Sequence, residues 1–302
     1  MQLAVLVVLA WSASAERDSV SPRDASSRLA DELLEIPEAQ LNIANAALRL
    51  STLAVPAANP SQGNAMLDAI ARRVSALVGP STAPDLRIRA INTVLYRELG
   101  FAYDEASLKN PRAQAPTVGT LWHVLASRRG NCVSLPLLWY AVAERLGYPV
   151  VAVAAPQHLF LRYDDGSYRS NIEATSGGGS HTDEQLAMDL EIPEAGVRSG
   201  AYLRSLSKRD LLAVLIAEGA GPALMRGQLD NAIPLLERAL RVDPRAVETQ
   251  VQLARALQLK ARRTGDADFD RQARMHARFA TALGAAAPLK DGYWDDFVTR
   301  RL

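Results

Sequence analysis

Apolar residues recur at three- and four-residue intervals through much of the first hundred positions of this 302-residue chain. Over residues 29–54 they place Leu41, Ala44 and Leu48 on one stripe, and Pro37 marks a break between two short helices. Residues 55–64, with two prolines, read as a linker. Residues 65–78 predict a helix buried through Leu67, Ile70, Val74 and Leu77 and ended by Gly79-Pro80. Residues 88–99 repeat the pattern through Ile88, Ile91, Val94, Leu95 and Leu99, with Gly100 as the cap. A turn-rich loop over 104–114 and a short helix over 117–128 precede an apolar helix at 135–146, which Gly147 and Pro149 stop.

The period then changes from helical to extended. Residues 150–154 are a β-branched run consistent with a buried strand, and 158–163 and 168–172 are two more strands around Asp164-Asp165-Gly166-Ser167. An Asp-Gly pair between alternating runs predicts a two-residue hairpin turn, because both central residues need positive φ. With Asp165 and Gly166 central, Asp164 faces Ser167 and His158 stands opposite Glu173. Opposed residues have Cβ atoms roughly 4.5–5.5 Å apart, within imidazole-to-carboxylate reach. Leu159, Leu161, Tyr163, Tyr168 and Ile172 then share a core-facing side, with His158, Phe160 and Asn171 on the other. The same register opposes Arg162 to Arg169, a like-charge pair that a bulge or a nearby carboxylate must relieve.

Beyond Gly177-Gly178-Gly179 the helical period returns to the end of the chain. Residues 211–244 fit one tetratricopeptide unit, with Gly227 at its turn, Ala232, Leu236 and Ala239 at close-packed positions and Pro244 at its end. A second, degenerate copy occupies 247–288, with an insertion around 262–268. Repeats of this kind need about three units to bury a face alone, so the segment is expected to lean on the domain before it.

Composition narrows the classes. Hydrophobic residues at 48% and charged residues at 22% describe a folded chain, and 302 residues suit one substantial core with a smaller companion. A net charge of +1, without a block of like charges, leaves no footprint for nucleic acid or an anionic membrane. Residues 1–15 hold an apolar run from Leu3 to Trp11 followed by Ser12-Ala13-Ser14-Ala15, the pattern of a cleavable signal peptide. Export to the periplasm or beyond is the expectation; the absence of Lys or Arg before the run leaves a cytoplasmic chain as the alternative. The run is too short for a bilayer span, which takes about 20 apolar residues. One cysteine excludes an internal disulfide, and with His123 and His181 scattered there is no metal-ligand spacing, so neither metal nor cofactor is expected.

That cysteine carries the chemistry. Cys132 lies between Gly130 and an apolar helix whose N-terminal dipole is expected to lower the thiol pKa and whose free amides could hold an oxyanion; Pro136 must then sit in the helix's first turn. His158 is the candidate proton acceptor, and Glu173 the carboxylate that orients it, with Asn171 as the alternative orienting group. Asn131 and Gln157 flank the two reactive residues and are candidate oxyanion donors. Against this stand plainer roles: Cys132 as a small buried hydrophobe, His158 as a satisfied histidine, Trp122 and Trp139 as core.

Three segments, 129–135 (Arg-Gly-Asn-Cys-Val-Ser-Leu), 144–150 (Glu-Arg-Leu-Gly-Tyr-Pro-Val) and 156–163 (Pro-Gln-His-Leu-Phe-Leu-Arg-Tyr), resemble the bacterial transglutaminase-like, SirB-type proteins that carry tetratricopeptide repeats. Asn171-Ile172-Glu173-Ala174-Thr175 is similar to the family's strand ending in an acid, usually Asp, and the likeness runs from about Leu41 to Pro244, with Phe101-Ala102-Tyr103 inside it. The resemblance implies a papain-like triad of Cys132, His158 and Glu173, with Glu in place of Asp adding a methylene. The family also includes chains without the cysteine, so it equally allows a silent scaffold.

The resulting expectation is an α+β protein, mostly helical. A transglutaminase-like catalytic domain over 28–200 holds a small antiparallel sheet, and a tetratricopeptide-like helical region follows over 205–302. Its activity would be acyl transfer from an amide or ester through a Cys132 thioester, resolved by water or an amine, on a peptide or protein partner. The rival is a binding module working through its repeats.

Overall fold

The computed structural model describes residues 22–105 and 117–285. The candidate leader, most of the 104–114 loop and the last residues of the second repeat lie outside the described residues. Four helices open the described chain: α1 (Pro22–Glu35), α2 (Ile43–Ala54), α3 (Pro60–Val78) and α4 (Pro84–Asn92). Asn42 and Asn59 cap α2 and α3 by accepting from the amides of Asn45 and Gln62, which satisfies donors that a helix start leaves open. On α3 the buried stripe is Leu67, Ile70, Ala71, Val74 and Val78, while the expected Leu77 is 38% exposed: the face follows 3.6 residues per turn and passes it by. Helix α4 widens into a π-helical stretch, Thr93–Glu98, and the chain leaves it through Gly100 at φ +69°.

The expected 117–128 helix is shorter, α5 (Leu121–Ser127): Thr120 caps its start by accepting from the His123 amide, and Arg128 turns left-handed at φ +60° and ends it. The chain then enters β2 (Arg129–Gly130), which pairs in parallel with β1 (Ala102–Tyr103). Helix α6 (Ser134–Arg145) follows, and every residue from Ser134 to Ala143 is buried, so it is an interior helix wrapped on all sides. Glu144 near its end accepts from the amides of Ile43 and Ala44, each at 3.1 Å, and from Lys208 Nζ at 2.9 Å, clasping α2 to the C-terminal helices.

Four antiparallel strands, β3 (Val150–Ala155), β4 (His158–Asp164), β5 (Arg169–Glu173) and β6 (Gly179–His181), form a sheet in that order. The β4–β5 register corrects the expectation: Leu161 pairs with Ile172, Arg162 with Asn171 and Asp164 with Arg169. The loop therefore holds four residues, 165–168. Asp165 decides this, because its Oδ1 accepts from the Ser167 amide at 3.0 Å, the Ser167 hydroxyl at 2.8 Å and the Tyr168 amide at 2.8 Å. That local turn displaces the tighter two-residue one. A slip of two keeps every side chain on its expected face, since strands alternate with period two. Arg162 and Arg169 are no longer opposed, and both donate to Asp183, at 2.7 and 2.8 Å. Strand β6, which the periodicity did not predict, forms after the left-handed Gly177 and Gly178 turn the chain back.

The two sheet faces feed two hydrophobic clusters. Leu159, Leu161, Tyr163 and Ile172 join α6 residues Leu138 and Trp139 in a cluster that continues without a break through the C-terminal helices. Val153, Ala155 and Phe160 on the opposite face pack with Tyr202, Val247, Ala280 and Leu283. The path from β6 to those helices runs through α7 (Asp183–Asp189), α8 (Glu194–Arg198) and residues 203–206, whose Leu203 and Leu206 amides donate to the Ala154 and Ala152 carbonyls. Two helical hairpins then complete the fold: α9 (Lys208–Met225) with α10 (Leu229–Val242), and α11 (Val247–Thr264) with α12 (Ala267–Ala282). The architecture is mostly helical with one small antiparallel sheet.

Candidate active site

The loop before α6 is drawn tight. A Cβ on Gly130 would stand 2.7 Å from Ser134 Oγ and 3.0 Å from Val124 Cγ2, so only glycine lets β2 pass this close to the helix. Ser134 Oγ donates to the Val118 carbonyl at 2.8 Å and accepts the Asn131 amide at 3.0 Å. Asn131 Oδ1 accepts the amides of Val133 and Ser134, both at 3.0 Å. Those two amides, expected to be free for an oxyanion, are thus occupied. Asn131 acts through its oxygen as a cap, leaving its Nδ2 without an acceptor among the described residues, while the Cys132 N–H is directed at its own sulfur.

Cys132 sits two residues ahead of α6 and is half-buried. The expected lowering of its thiol pKa is not found. Burial pushes the thiol up to about 12, and the carboxylates of Glu218 and Glu173 push in the same direction. The dipole argument fails because the nearest helix-start amides are aimed at Asn131, whereas the carboxylates share the thiol's surroundings. The thiol donates to the Gln157 carbonyl at 3.4 Å.

Gln157 and Pro156 form the two-residue turn between β3 and β4, closed by the Ala155–His158 pair. His158 therefore opens β4 next to the residue that holds the thiol. Its Nε2 lies 2.6 Å from Glu173 Oε2, with both side chains largely buried. In the observed register Glu173 comes level with Phe160, and the contact to His158 is made along the diagonal, which the longer Glu side chain can span. Glu173 Oε1 accepts the amide and hydroxyl of Thr175, at 2.9 and 2.5 Å. Burial alone would raise the Glu173 carboxyl; hydrogen bonds from His158 and Thr175 outweigh it and hold the group below its ordinary value. The imidazole Nδ1 has no hydrogen-bond partner among the described residues.

Asn171, the alternative orienting group, is turned elsewhere: its Oδ1 accepts from Arg162 Nε at 2.9 Å and its Nδ2 donates to Asp183 at 2.7 Å. Gln157 contributes backbone rather than its exposed side chain. His123 bonds Thr117 Oγ1 at 3.1 Å and His181 lies on β6, both away from the thiol's contacts.

Two acids from the C-terminal helices complete the surroundings. Glu248, the second residue of α11, accepts the Gln157 amide at 3.1 Å and the Tyr202 hydroxyl at 3.0 Å on one oxygen. Glu218 on α9 has its Oε2 3.6 Å from where a Gly119 Cβ would stand, as does Asn131 Nδ2. Burial, then the Glu248 charge, push its carboxyl up to about 7. Glu248 is an ordinary acid in the first turn of its helix, but Glu218 is the lone charge between Asp210 and Arg226 in an otherwise apolar run, and that isolation is the signal that could have marked it as buried.

Residues 61–216 match the family model of the transglutaminase-like superfamily. A UPF0162 protein of Pseudomonas aeruginosa is 26% identical over 169 residues, 55% of this chain and 59% of that protein. One of Xylella fastidiosa (strain Temecula1) is 34% identical over 83 residues, 27% of this chain and 28% of that protein. The matched region spans less than two thirds of either relative. A crystal structure of menin, which reveals that protein's binding site for the Mixed Lineage Leukemia protein, aligns over 92% of this chain and 87% of its own at 11% identity, with a TM-score of 0.37. That score is too low to define a shared fold. The family match covers just over half of the chain, from α3 into α9, and takes in all three residues of the candidate triad: the chain belongs to the transglutaminase-like superfamily.

Proposed function

We propose that this protein is a cysteine acyl-transfer enzyme in which Cys132 is the nucleophile, His158 the proton carrier and Glu173 the group that orients the ring. The observation that carries the reading is the His158 Nε2–Glu173 contact of 2.6 Å beside a turn whose carbonyl holds the thiol. A carboxylate on Nε2 selects the tautomer that leaves Nδ1 as an acceptor and supports the imidazolium once it forms. With the thiol pushed up to about 12, a resting thiolate is disfavoured, so attack and proton transfer go together.

In the first step the Cys132 S–H bond breaks as the S–C bond forms, and the proton passes to His158 Nδ1. The carbonyl π electrons move to oxygen, where Asn131 Nδ2 is the open donor and the Cys132 N–H joins it once the sulfur is engaged with the carbonyl carbon. On collapse His158 returns the proton to the leaving amine or alcohol, leaving a thioester that water or an amine resolves by the same route in reverse. A peptide or protein amide is the substrate class. The 205–302 segment is read as a tetratricopeptide-type surface for the same partner, and the 1–15 leader as an export signal; among the described residues no helix is long and apolar enough to cross a membrane.

A second reading has its own observation. A thiol bonded to a carbonyl, with its acidity weakened by burial, also suits a silent transglutaminase-like scaffold that binds partners through its helices. Iodoacetamide alkylation of Cys132 across pH separates the two. An enzyme should lose about a hundredfold or more in rate at neutral pH on His158→Ala, at the low end of what a positioned base supplies. Equal rates in the two chains, following ordinary thiol ionisation, would sink the enzyme and leave the scaffold.

A further inference from the structure

The turn that opens His158's strand is held by a residue of the C-terminal helices. Gln157 has positive φ, +54°, in a two-residue turn where glycine or asparagine is the usual occupant. A non-glycine residue there costs roughly 1–2 kcal/mol unless its surroundings over-determine it. Two contacts do so. Its carbonyl takes the Cys132 thiol at 3.4 Å, and its N–H, which points away from the sheet ladder, meets Glu248 Oε1 at 3.1 Å. Glu248 is fixed in turn by the Tyr202 hydroxyl at 3.0 Å and by its place in the first turn of α11, and it lies 91 residues further along the chain than Gln157. Tyr202 packs in the cluster that joins the sheet's second face to Val247 and Ala280. A path thus runs from α11 through one carboxylate oxygen to the peptide between Pro156 and Gln157, and from Gln157 by a hydrogen bond to the sulfur and along the chain to His158, its next residue.

We infer that Glu248 is a positioning residue for the Cys132–His158 site: the C-terminal helical hairpin sets the distance between thiol and ring by gripping the Gln157 amide. The inference rests on the acyl-transfer reading for its consequence, but the grip on the thiol is independent of that reading. Its requirement is an oxygen acceptor at the reach of a Glu side chain, not a negative charge.

That requirement defines the experiment, on the full chain. Glu248→Gln keeps both reach and an acceptor oxygen while removing the charge. Glu248→Asp keeps the charge and the favourable acid at the start of α11 while drawing the oxygens back by one methylene. Neither removes a core side chain, and melting curves accompany both. Cys132 alkylation by iodoacetamide at neutral pH should stay within about twofold of the unmodified chain in Glu248→Gln and change by about tenfold in Glu248→Asp, since displacements near 1 Å carry effects up to 10²-fold. Glu248→Asp alkylating like the unmodified chain, or Glu248→Gln departing as far as Glu248→Asp, overturns the inference. His158→Ala in the same series tests the other reading separately. If it is slow while Glu248→Asp is normal, only the positioning role falls; if it alkylates like the unmodified chain while Glu248→Asp departs, the grip on the thiol stands and the base role falls.

Discussion

The two turns at either end of β4 are built in opposite ways. The β4–β5 loop, 165–168, satisfies itself: Asp165 collects three hydrogen bonds from Ser167 and Tyr168, and Gly166 takes the positive φ of +84°. The β3–β4 turn has no such internal means. Gln157 stands in a left-handed conformation with its carbonyl and amide bonded to residues from a loop before α6 and from α11. A turn that depends on distant partners reports on them, and this one carries the candidate histidine. The self-contained loop sits at the far end of β4 from the site. Strain and dependence have collected where the chemistry is proposed, as expected of functional segments.

Four substitutions test that contrast, in descending size. Gln157→Pro removes the N–H that Glu248 accepts and demands φ near −65° where the chain has +54°. A loss of about 3 kcal/mol or more in chemical unfolding is expected, together with an altered Cys132 alkylation rate. A loss below about 1 kcal/mol would show that the turn is not held as described.

Glu218 offers the next test, as a carboxylate without the local partners that Asp165 has. Its folded-state pKa is raised to about 7 from an unfolded value of 4.5, so the fold favours the protonated form. Its contribution is intact below 4.5 and is lost as pH rises through about 7. Glu218→Gln should therefore leave stability nearly unchanged at acid pH and raise it above neutrality by an amount on the order of 2 kcal/mol. Thermal melts at the two ends of that range would show the difference; an equal effect at both would remove Glu218 from the buried surroundings of the thiol.

Gln157→Gly relieves the left-handed strain while keeping the backbone donor and acceptor. It should stabilise the chain by about 0.5–1 kcal/mol, the cost of the left-handed state less the added freedom of glycine in the unfolded chain. Alkylation should be unchanged, since the side chain takes no part. Asp165→Ala is expected to have the smallest effect. Hydrogen bonds from Ser167 and Tyr168 hold the Asp165 carboxyl below its ordinary value, so its contribution is present above the unfolded pKa and lost as pH falls through the folded one. The melting temperature should drop slightly at neutral pH and not at strongly acid pH, with Cys132 reactivity untouched. A change in thiol reactivity here would mean that the two turns are coupled through β4.

The β4–β5 hairpin shows how a site can be legible when its geometry is not. The expected two-residue turn was wrong by two positions, yet His158 and Glu173 still meet. A shift of two preserves the face, and Glu reaches along the diagonal where Asp would fall short. The like charges of Arg162 and Arg169 call for a bulge or a carboxylate; the shifted register separates the pair, and Asp183 accepts from both. By contrast, the expected activation of Cys132 by α6 was misread. The amides at the helix start lie within the sequence's view, but their capture by Asn131 Oδ1 depends on a rotamer, and the opposing carboxylates come from helices far along the chain.

Periodicity and residue chemistry alone determined most of the long helices to within a turn, the presence of a hairpin after the cysteine helix, the faces of its strands and the identities of the candidate triad. These follow from short-range rules: side chains repeat at 3.6 or 2.0 residues, and turn residues declare themselves locally. Tertiary structure alone decided that the thiol bonds a carbonyl, that burial and two carboxylates push its pKa upward, and that Glu248 grips the Gln157 turn across 91 residues. The physical reason is that desolvation, Coulomb interaction and hydrogen bonding act through space. Their partners are chosen by how the helical hairpins close over the sheet, which no local pattern encodes.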